Sequence, residues 1–308
     1  MWQQVKQDIE DIWMHSMRRG QFSAAWQHCD EVLKSRAGKP CWHLPRHLQY
    51  IWNGEPLNEK RVLVRCYHGL GDTIQFIRYV ALIKAVASEV IVWAQPKLIP
   101  LLKTVEGIDK ILPLHDGVPE IAFDVDVEVM ELAHIFRSEL ETIPIKIPYL
   151  HIDSKPHSLQ TGRPAVGLVW KSGEWNQHRS VPFSLLSPLA SIPGLDFYIL
   201  QHDAPDAGWD GEFGVYPGQL PVHELAHYIA GLDLLISIDS MPVHLAGALG
   251  VPVWTLLQAE ADWRWMDKLE YSPWYPTMRL FRQQYRDEWE PVIGRIAGEL
   301  RQLYGINL

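Results

Sequence analysis

The sequence predicts an α/β protein of two facing Rossmann-like domains preceded by a helical hairpin. Three observations carry this. From residue 61 onward, short apolar runs alternate with amphipathic helical stretches. The alternation is interrupted once, around 151–163, by the polar, Pro- and Gly-containing run "HIDSKPHSLQTGRP". The length of 308 residues fits about two domains. The expected limits are 1–58 for a hairpin and connector, 59–155 for the first α/β domain and 160–308 for the second.

Residues 2–36 read as two helices. One carries Val5, Ile9, Ile12 and Trp13 on a stripe, the other Phe22, Ala25, Trp26, Cys29 and Leu33, and Gly20 breaks between them. The pair is like one tetratricopeptide unit. A solenoid needs about three, so the hairpin is expected to dock on the main body or on a partner subunit, which would make it a route to a homo-oligomer. In the first domain "RVLVRCY" is a strand, "GLGD" a turn, "TIQFIRYVALIKAVAS" a helix and "EVIVWAQ" a strand, a βαβ unit that makes the sheet parallel. "LIPLLKTVEG", "KILPL" and "IAFDVDVEVM" continue the series. In the second domain "AVGLVW", "DFYILQ", "LDLLISID" and "VPVWTLL" are strands, "PFSLLSPLAS", "VHELAHYIAG" and "PVHLAGALG" helices, and "EWEPVIGRIAGELRQLYG" a closing amphipathic helix. Ligands of such sheets sit at the carboxyl ends of the strands, here expected in the crevice between the two halves.

Composition narrows the function. A chain 47% hydrophobic and 21% charged is neither disordered nor membrane-embedded, and no apolar run approaches the ~20 residues that span a bilayer. The acidic start "MWQQVKQDIEDIW" is unlike a secretory signal. Cys29, Cys41 and Cys66 have no metal-like spacing and read as thiols of a reducing cytoplasm. A net charge of −9 argues against nucleic acid as the main partner. Tryptophan is over-used, at 14 residues, as apolar anchors or as stacking platforms for a sugar ring or nucleobase.

Two strand-to-helix turns carry the chemistry. In "YHGLGDTIQF", Gly69 and Gly71 match the first two glycines of G-x-G-x-x-G, but Ile74 takes the third place and Asp72 sits at the helix start. A carboxylate there repels a pyrophosphate. Asp72 is then either an N-cap or an ionised carboxylate that accepts a proton from an incoming hydroxyl, with the glycines admitting substrate to the backbone. In "DLLISIDSMPVHLAGALG", Ser240 and Pro242 read as a hydroxyl cap and a first-turn ring, leaving the amides of 241–243 for an anion. His244 is either a satisfied buried imidazole or a donor to a diphosphate. In "WKSGEWNQHRS", Lys171 and Arg179 are the cations nearest the crevice, unless this is a solvated loop, and Gln201 at the next strand end could touch ribose or base.

A rival motif is "HELAH" at 223–227, which matches H-E-x-x-H. Its helix fits as an ordinary crossover, Asp233 opens a buried strand, and no metal or cofactor is expected. Glu128 and Glu131 form an acidic pair without further context.

"HGLGDTIQFIRY" and "DLLISIDSMPVHLAGALGVPVWTLL" together resemble glycosyltransferase family 9, the group containing the ADP-heptose:lipopolysaccharide heptosyltransferases. The ending "DWRWM…SPWYPTMRLFRQ" is similar to members that follow tetratricopeptide repeats. The resemblance runs from about residue 60 to the end. It implies a GT-B fold with the donor on the C-terminal domain, and inverting, metal-independent transfer from a nucleotide-diphosphate sugar to a saccharide or peptide acceptor. By motif position it implies Asp72 as base, Asp239, Ser240 and His244 at the donor phosphates, and Lys171 or Arg179 as the loop cation. Met241 replaces a small residue of the family pattern beside the phosphates, and the first α/β half is short. The other readings are a nucleotide-sugar epimerase or hydrolase on the same scaffold and a nucleotide-binding or interaction module without turnover.

Overall fold

In the computed structural model the described residues are 12–46, 49–153, 156, 157, 159, 162–173 and 176–306. Val5 and Ile9 of the expected hairpin stripe lie outside them, as do Glu174 and Trp175. The chain divides into two compact units. One holds Met1–His151 with Asp262–Lys268, the other Ile152–Ala261 with Leu269–Leu308. This division differs from the expected limits in two ways. The hairpin belongs to the same unit as the first sheet, and residues 262–268 join that unit although the chain on either side belongs to the other.

The first unit opens with helix α1 through residues 12–18, a turn in which Gly20 takes φ +71°, and α2, Phe22–Arg36. The hairpin docks on its own unit: Trp26 Nε1 donates to the Ser138 carbonyl at 2.7 Å, and Asp30 pairs with His134 at 2.9 Å and Arg137 at 2.8 Å. Then come β1 (Arg61–Arg65), α3 (Leu70–Phe76), α4 (Val80–Lys84), β2 (Glu89–Ala94), α5 (Ile99–Leu102), β3 (Lys110–Pro113), β4 (Val125–Glu128) and α6 (Leu132–Ile135). The single helix expected over 73–88 starts earlier and is broken by a 3-10 turn at Ile77–Tyr79. Arg78 donates Nε–H to the Gln75 carbonyl at 2.7 Å, the group a continuous helix offers to the amide of Tyr79.

The four strands are parallel in the order β3-β2-β1-β4. Side chains alternate between faces, so Val62, Val64, Val90, Val92, Val125 and Val127 share one face, and Leu63, Arg65, Ile91, Trp93, Asp126 and Glu128 the other. The chain builds outward from β1 through β2 to β3, then returns to lay β4 on the opposite side. The switch point therefore lies at the carboxyl ends of β1 and β4.

The second unit holds β5 (Ala165–Val169), α7 (Ser187–Ala190), β6 (Asp196–Ile199), α8 (Val222–Ala230), β7 (Leu234–Ile238), α9 (Met241–Leu249), β8 (Val253–Leu257), β9 (Met278–Arg282) and α10 (Glu290–Leu303). Its parallel sheet runs β6-β5-β7-β8-β9, with the switch point between β5 and β7. Strand β9 has no counterpart in the sequence reading. Its two arginines mask the apolar pattern, and an edge strand tolerates them; Arg279 pairs with Glu299 of α10. Val292, Ile293, Ile296, Ala297 and Leu300 of α10 are buried in this unit's core. Among the described residues no helix is long and apolar enough to cross a membrane.

Helix α9 is buried almost throughout, and Gly250 closes it in the left-handed region at φ 79°. Gly247 lies flat against the Tyr275 ring, where an added Cβ would overlap the ring carbons. Gly247→Ala is expected to lower stability by about 1–3 kcal/mol through overpacking. A thermal melt followed by circular dichroism checks this; an unchanged midpoint would mean that Tyr275 can step aside at no cost.

Candidate functional site

Each unit carries candidate site residues at its own switch point. In the first, β1 ends at Arg65 and α3 begins at Leu70, with Gly69 as N-cap. Asp72 therefore stands at the third helical position and is not itself the cap. Its Oδ2 accepts the Gly69 amide at 2.9 Å, and an added Cβ on Gly69 would lie 3.0 Å from that same oxygen, so glycine permits the approach. Its Oδ1 accepts Nη2–H of Arg264 at 2.8 Å, and the Asp72 side chain remains 22% exposed. Gly71 is the second residue of the helix. Gln95 at the end of β2 fixes the loop from below, donating to the His68 carbonyl at 2.8 Å and accepting from Thr73 Oγ1 at 3.1 Å.

The acidic pair gains its context here. Glu128 closes β4, is 2% exposed, and accepts the Met130 amide on Oε2 at 2.7 Å. His68 Nε2 lies 3.8 Å from the same oxygen. Oε1 of Glu128 is buried and has no hydrogen-bond partner among the described residues. Glu131 accepts three amides, from Ile51 at 3.1 Å, Trp52 at 2.9 Å and Glu128 at 2.8 Å. Burial pushes the Glu128 carboxyl well above the usual carboxylate range, and the charges of Glu131 and Asp72 push the same way. Burial also raises Glu131, against the three amides that favour its charged form. At this switch point Asp72 is thus the carboxylate supplied with a cation, and Glu128 the one from which charge is withheld.

In the second unit β7 ends at Ile238 and Ser240 is the N-cap of α9, in extended conformation. Its hydroxyl makes no cap bond and donates instead to the Ile238 carbonyl at 3.3 Å, a correction to the expected hydroxyl cap. The expected trio of amides is also reduced. Pro242 has no N–H, and the Val243 amide bonds to the Ser240 carbonyl at 3.2 Å, so the Met241 amide is the one of the three not engaged in this way. Met241 itself is half-buried at the first helical position. Asp239 is 6% exposed and its carbonyl accepts Nη1–H of Arg179 at 2.9 Å. His244 is 3% exposed, with Nδ1 3.0 Å from Tyr275 Oη.

The two candidate cations separate. Arg179 reaches the start of α9, whereas the Lys171 ammonium bonds the Asp206 carbonyl at 3.1 Å and faces Asp203 at 3.9 Å. Gln201 is buried as a strut: Oε1 accepts the Trp170 and Lys171 amides at 3.1 and 2.9 Å, and Nε2 donates to Asp203 at 2.7 Å. Its carboxamide is engaged within the loop and is not presented to a ribose. The "HELAH" helix is α8, the crossover between β6 and β7. His227 bonds the His223 carbonyl and Asp153 at 2.8 and 3.1 Å. Among the described residues no three His, Cys, Asp or Glu side chains are grouped to share a metal ion.

Sequence reasoning missed Arg264 and Tyr275. Arg264 stands between two tryptophans in "DWRWM", and that flanking was its only signal; Tyr275 gave none beyond its place in a Trp- and Pro-rich run.

The comparisons with known proteins bear on the scaffold. A glycosyl transferase family 9 structure from Veillonella parvula superposes with a TM-score of 0.60 at 13% identity, over 82% of this chain and 99% of its own. The ADP-heptose lipopolysaccharide heptosyltransferase II of Escherichia coli gives 0.52 at 16% identity, over 79% and 98%. The fold is GT-B. The iron-containing dodecameric glycosyltransferase TibC of enterotoxigenic E. coli gives 0.54 at 17% identity, over 77% and 67%. A curated relative, Protein FlbA of Caulobacter vibrioides, is 28% identical over 287 residues, which is 81% of this chain and 48% of FlbA. The chain spans about half the length of that relative. No family model matches the chain.

Glu128 makes the pH dependence of stability testable. A carboxyl whose folded value is raised favours the fold below its unfolded value near 4.5, and that stability is lost as pH rises through the folded value. Glu128→Gln keeps an acceptor for the Met130 amide and removes the titration. The variant is expected to melt higher than the native protein at pH 8, with the gap closing toward pH 4. Parallel melting curves across that range would instead show that Glu128 titrates normally.

Proposed function

We propose that this chain is an inverting glycosyltransferase that moves a sugar from a nucleotide-diphosphate donor to an acceptor hydroxyl, with Asp72 as general base. The observation that carries the reading is the placement of Asp72. It is a partly exposed carboxylate at a switch point, oriented by the Gly69 amide and the Arg264 guanidinium. In single displacement the acceptor oxygen forms a bond to the anomeric carbon as the bond to the diphosphate breaks. The acceptor proton passes to Asp72, and the bonding pair leaves with the diphosphate. The diphosphate belongs at the start of α9, because a carboxylate in the first turn of α3 disfavours an anion there.

In the second unit Arg179 supplies the cation and the Met241 amide a donor. The His244 imidazole is oriented by the Tyr275 hydroxyl, 3.0 Å from its Nδ1, and stands one turn into the same helix. Asp239 shapes the turn through its carbonyl contact with Arg179. Gly69 and Gly71 keep the wall beside Asp72 low enough for an acceptor to approach.

The likeness to heptosyltransferase II, named for ADP-heptose, makes ADP-heptose the first donor to try. A saccharide or a peptide hydroxyl is the acceptor class, the site of action is the cytoplasm, and the hairpin is the surface to test for self-association. Asp72→Asn is expected to lower transfer about 10²- to 10⁴-fold while leaving ADP affinity unchanged. Arg179→Ala is expected to weaken ADP about 10- to 100-fold, the worth of a lost charge-assisted contact. Titration calorimetry with ADP, GDP and UDP and a transfer assay with the matching sugars, each run with and without acceptor, read both effects. A near-native rate for Asp72→Asn would remove it from the chemistry. Sugar release that ignores the acceptor would make the enzyme a hydrolase.

A further inference from the structure

The base in this reading is held by a residue from far along the chain. Arg264 lies on Asp262–Lys268, the segment that joins the first unit although its flanks belong to the second. Its guanidinium is 10% exposed, bonds Asp72 Oδ1 at 2.8 Å, and meets the Asp262 carboxylate at 3.2 Å. The segment is itself anchored from two sides. Trp263 is buried, with its ring 6.3 Å from Phe76 of α3 and 5.3 Å, edge to face, from Trp13 of the hairpin. The Arg264 guanidinium lies 5.2 Å from the centre of the Trp263 ring, and the Asp267 amide donates to the Arg18 carbonyl of the hairpin at 3.1 Å. A continuous chain of contacts thus runs from the hairpin through Trp263 and Arg264 to Asp72.

We propose that Arg264 is a positioning residue for Asp72, and that the N-terminal hairpin clamps the segment that delivers it. The proposal rests on the reading of Asp72 as base and gives the hairpin a part in that site. Among the described residues, the charged and titratable groups at this turn include Arg264 and Asp262 on the segment, Glu128 at the end of β4 and His68 in its own loop. Arg264 holds Oδ1, while the Gly69 amide holds Oδ2.

The physical consequence is read without any substrate. A carboxyl carbon gripped by a guanidinium and one left to solvent have different magnetic environments. The full-length protein, labelled with ¹³C in aspartate carboxyls, is observed by NMR at one neutral pH, and the Asp72 signal is assigned by its loss in Asp72→Asn. In Arg264→Gln the Asp72 signal is expected to leave its native position. Arg264→Lys, which returns the charge without the fork, restores part of that position. Trp13→Ala moves the signal the same way by a smaller amount. An Asp72 signal unmoved in a folded Arg264→Gln protein overturns the positioning role, and a signal unmoved in Trp13→Ala overturns the clamp. If the base reading alone is wrong, the signal still moves while Asp72→Asn keeps its transfer rate.

Discussion

The arrangement depends on one electrostatic constraint: a negative side chain in the first turn of α3. The amino end of a helix is a place for anions. Here the protein fills that place itself with Asp72, closed by the Gly69 amide on one oxygen and Arg264 on the other. A diphosphate has no favourable position at that turn. The corresponding turn of the second unit carries no acid in the first turn of its helix and has Arg179 beside it. Two similar βα turns, one on each sheet, thus differ in charge through the identity of single side chains, and the proposed division of tasks follows that difference.

The same constraint accounts for the buried acids. Glu128 and Glu131 are costly for a fold to hold, because each loses hydration on burial. Capping alone does not require this, since the Met130 amide would donate to a neutral glutamine oxygen equally well. Burial and the charges of Glu131 and Asp72 all act against ionisation of Glu128, while the Arg264 guanidinium bonds Asp72. A carboxyl perturbed by burial and neighbouring charge is a common feature of sites that handle protons.

How much of this was legible in the sequence follows from how local each feature is. Strands such as "RVLVR" and "LLISI" announce themselves by composition, and Asp72 and Ser240 by their position at a strand-to-helix turn. The break in the helix expected over 73–88 was not legible because the Arg78 contact to the Gln75 carbonyl is a side-chain event that no periodicity records. Strand β9 was invisible because its pairing with β8 comes from topology and two arginines mask its pattern. Ser240 was misread as a hydroxyl cap because cap propensity does not say which way a hydroxyl turns. Arg264 lies 192 positions from Asp72, beyond the reach of any local reading, and only its tryptophan neighbours marked it.

The second half-site shows why side chains, not the helix alone, must hold the donor in this reading. A bare helix end offers several amides, but Pro242 removes one and the Ser240 carbonyl takes another. The dipole remains, yet few donors are left to direct it. Arg179 then supplies the charge in this reading, and it reaches the Asp239 carbonyl because the loop after β5 and the turn after β7 are neighbours at a switch point. Lys171, on the same loop, is drawn off by the Asp203–Asp206 turn that Gln201 fixes in place. His244 is held by Tyr275, whose ring lies against Gly247 one turn further along α9. The small residue in mid-helix thus sets the position of the tyrosine, and the tyrosine sets that of the imidazole.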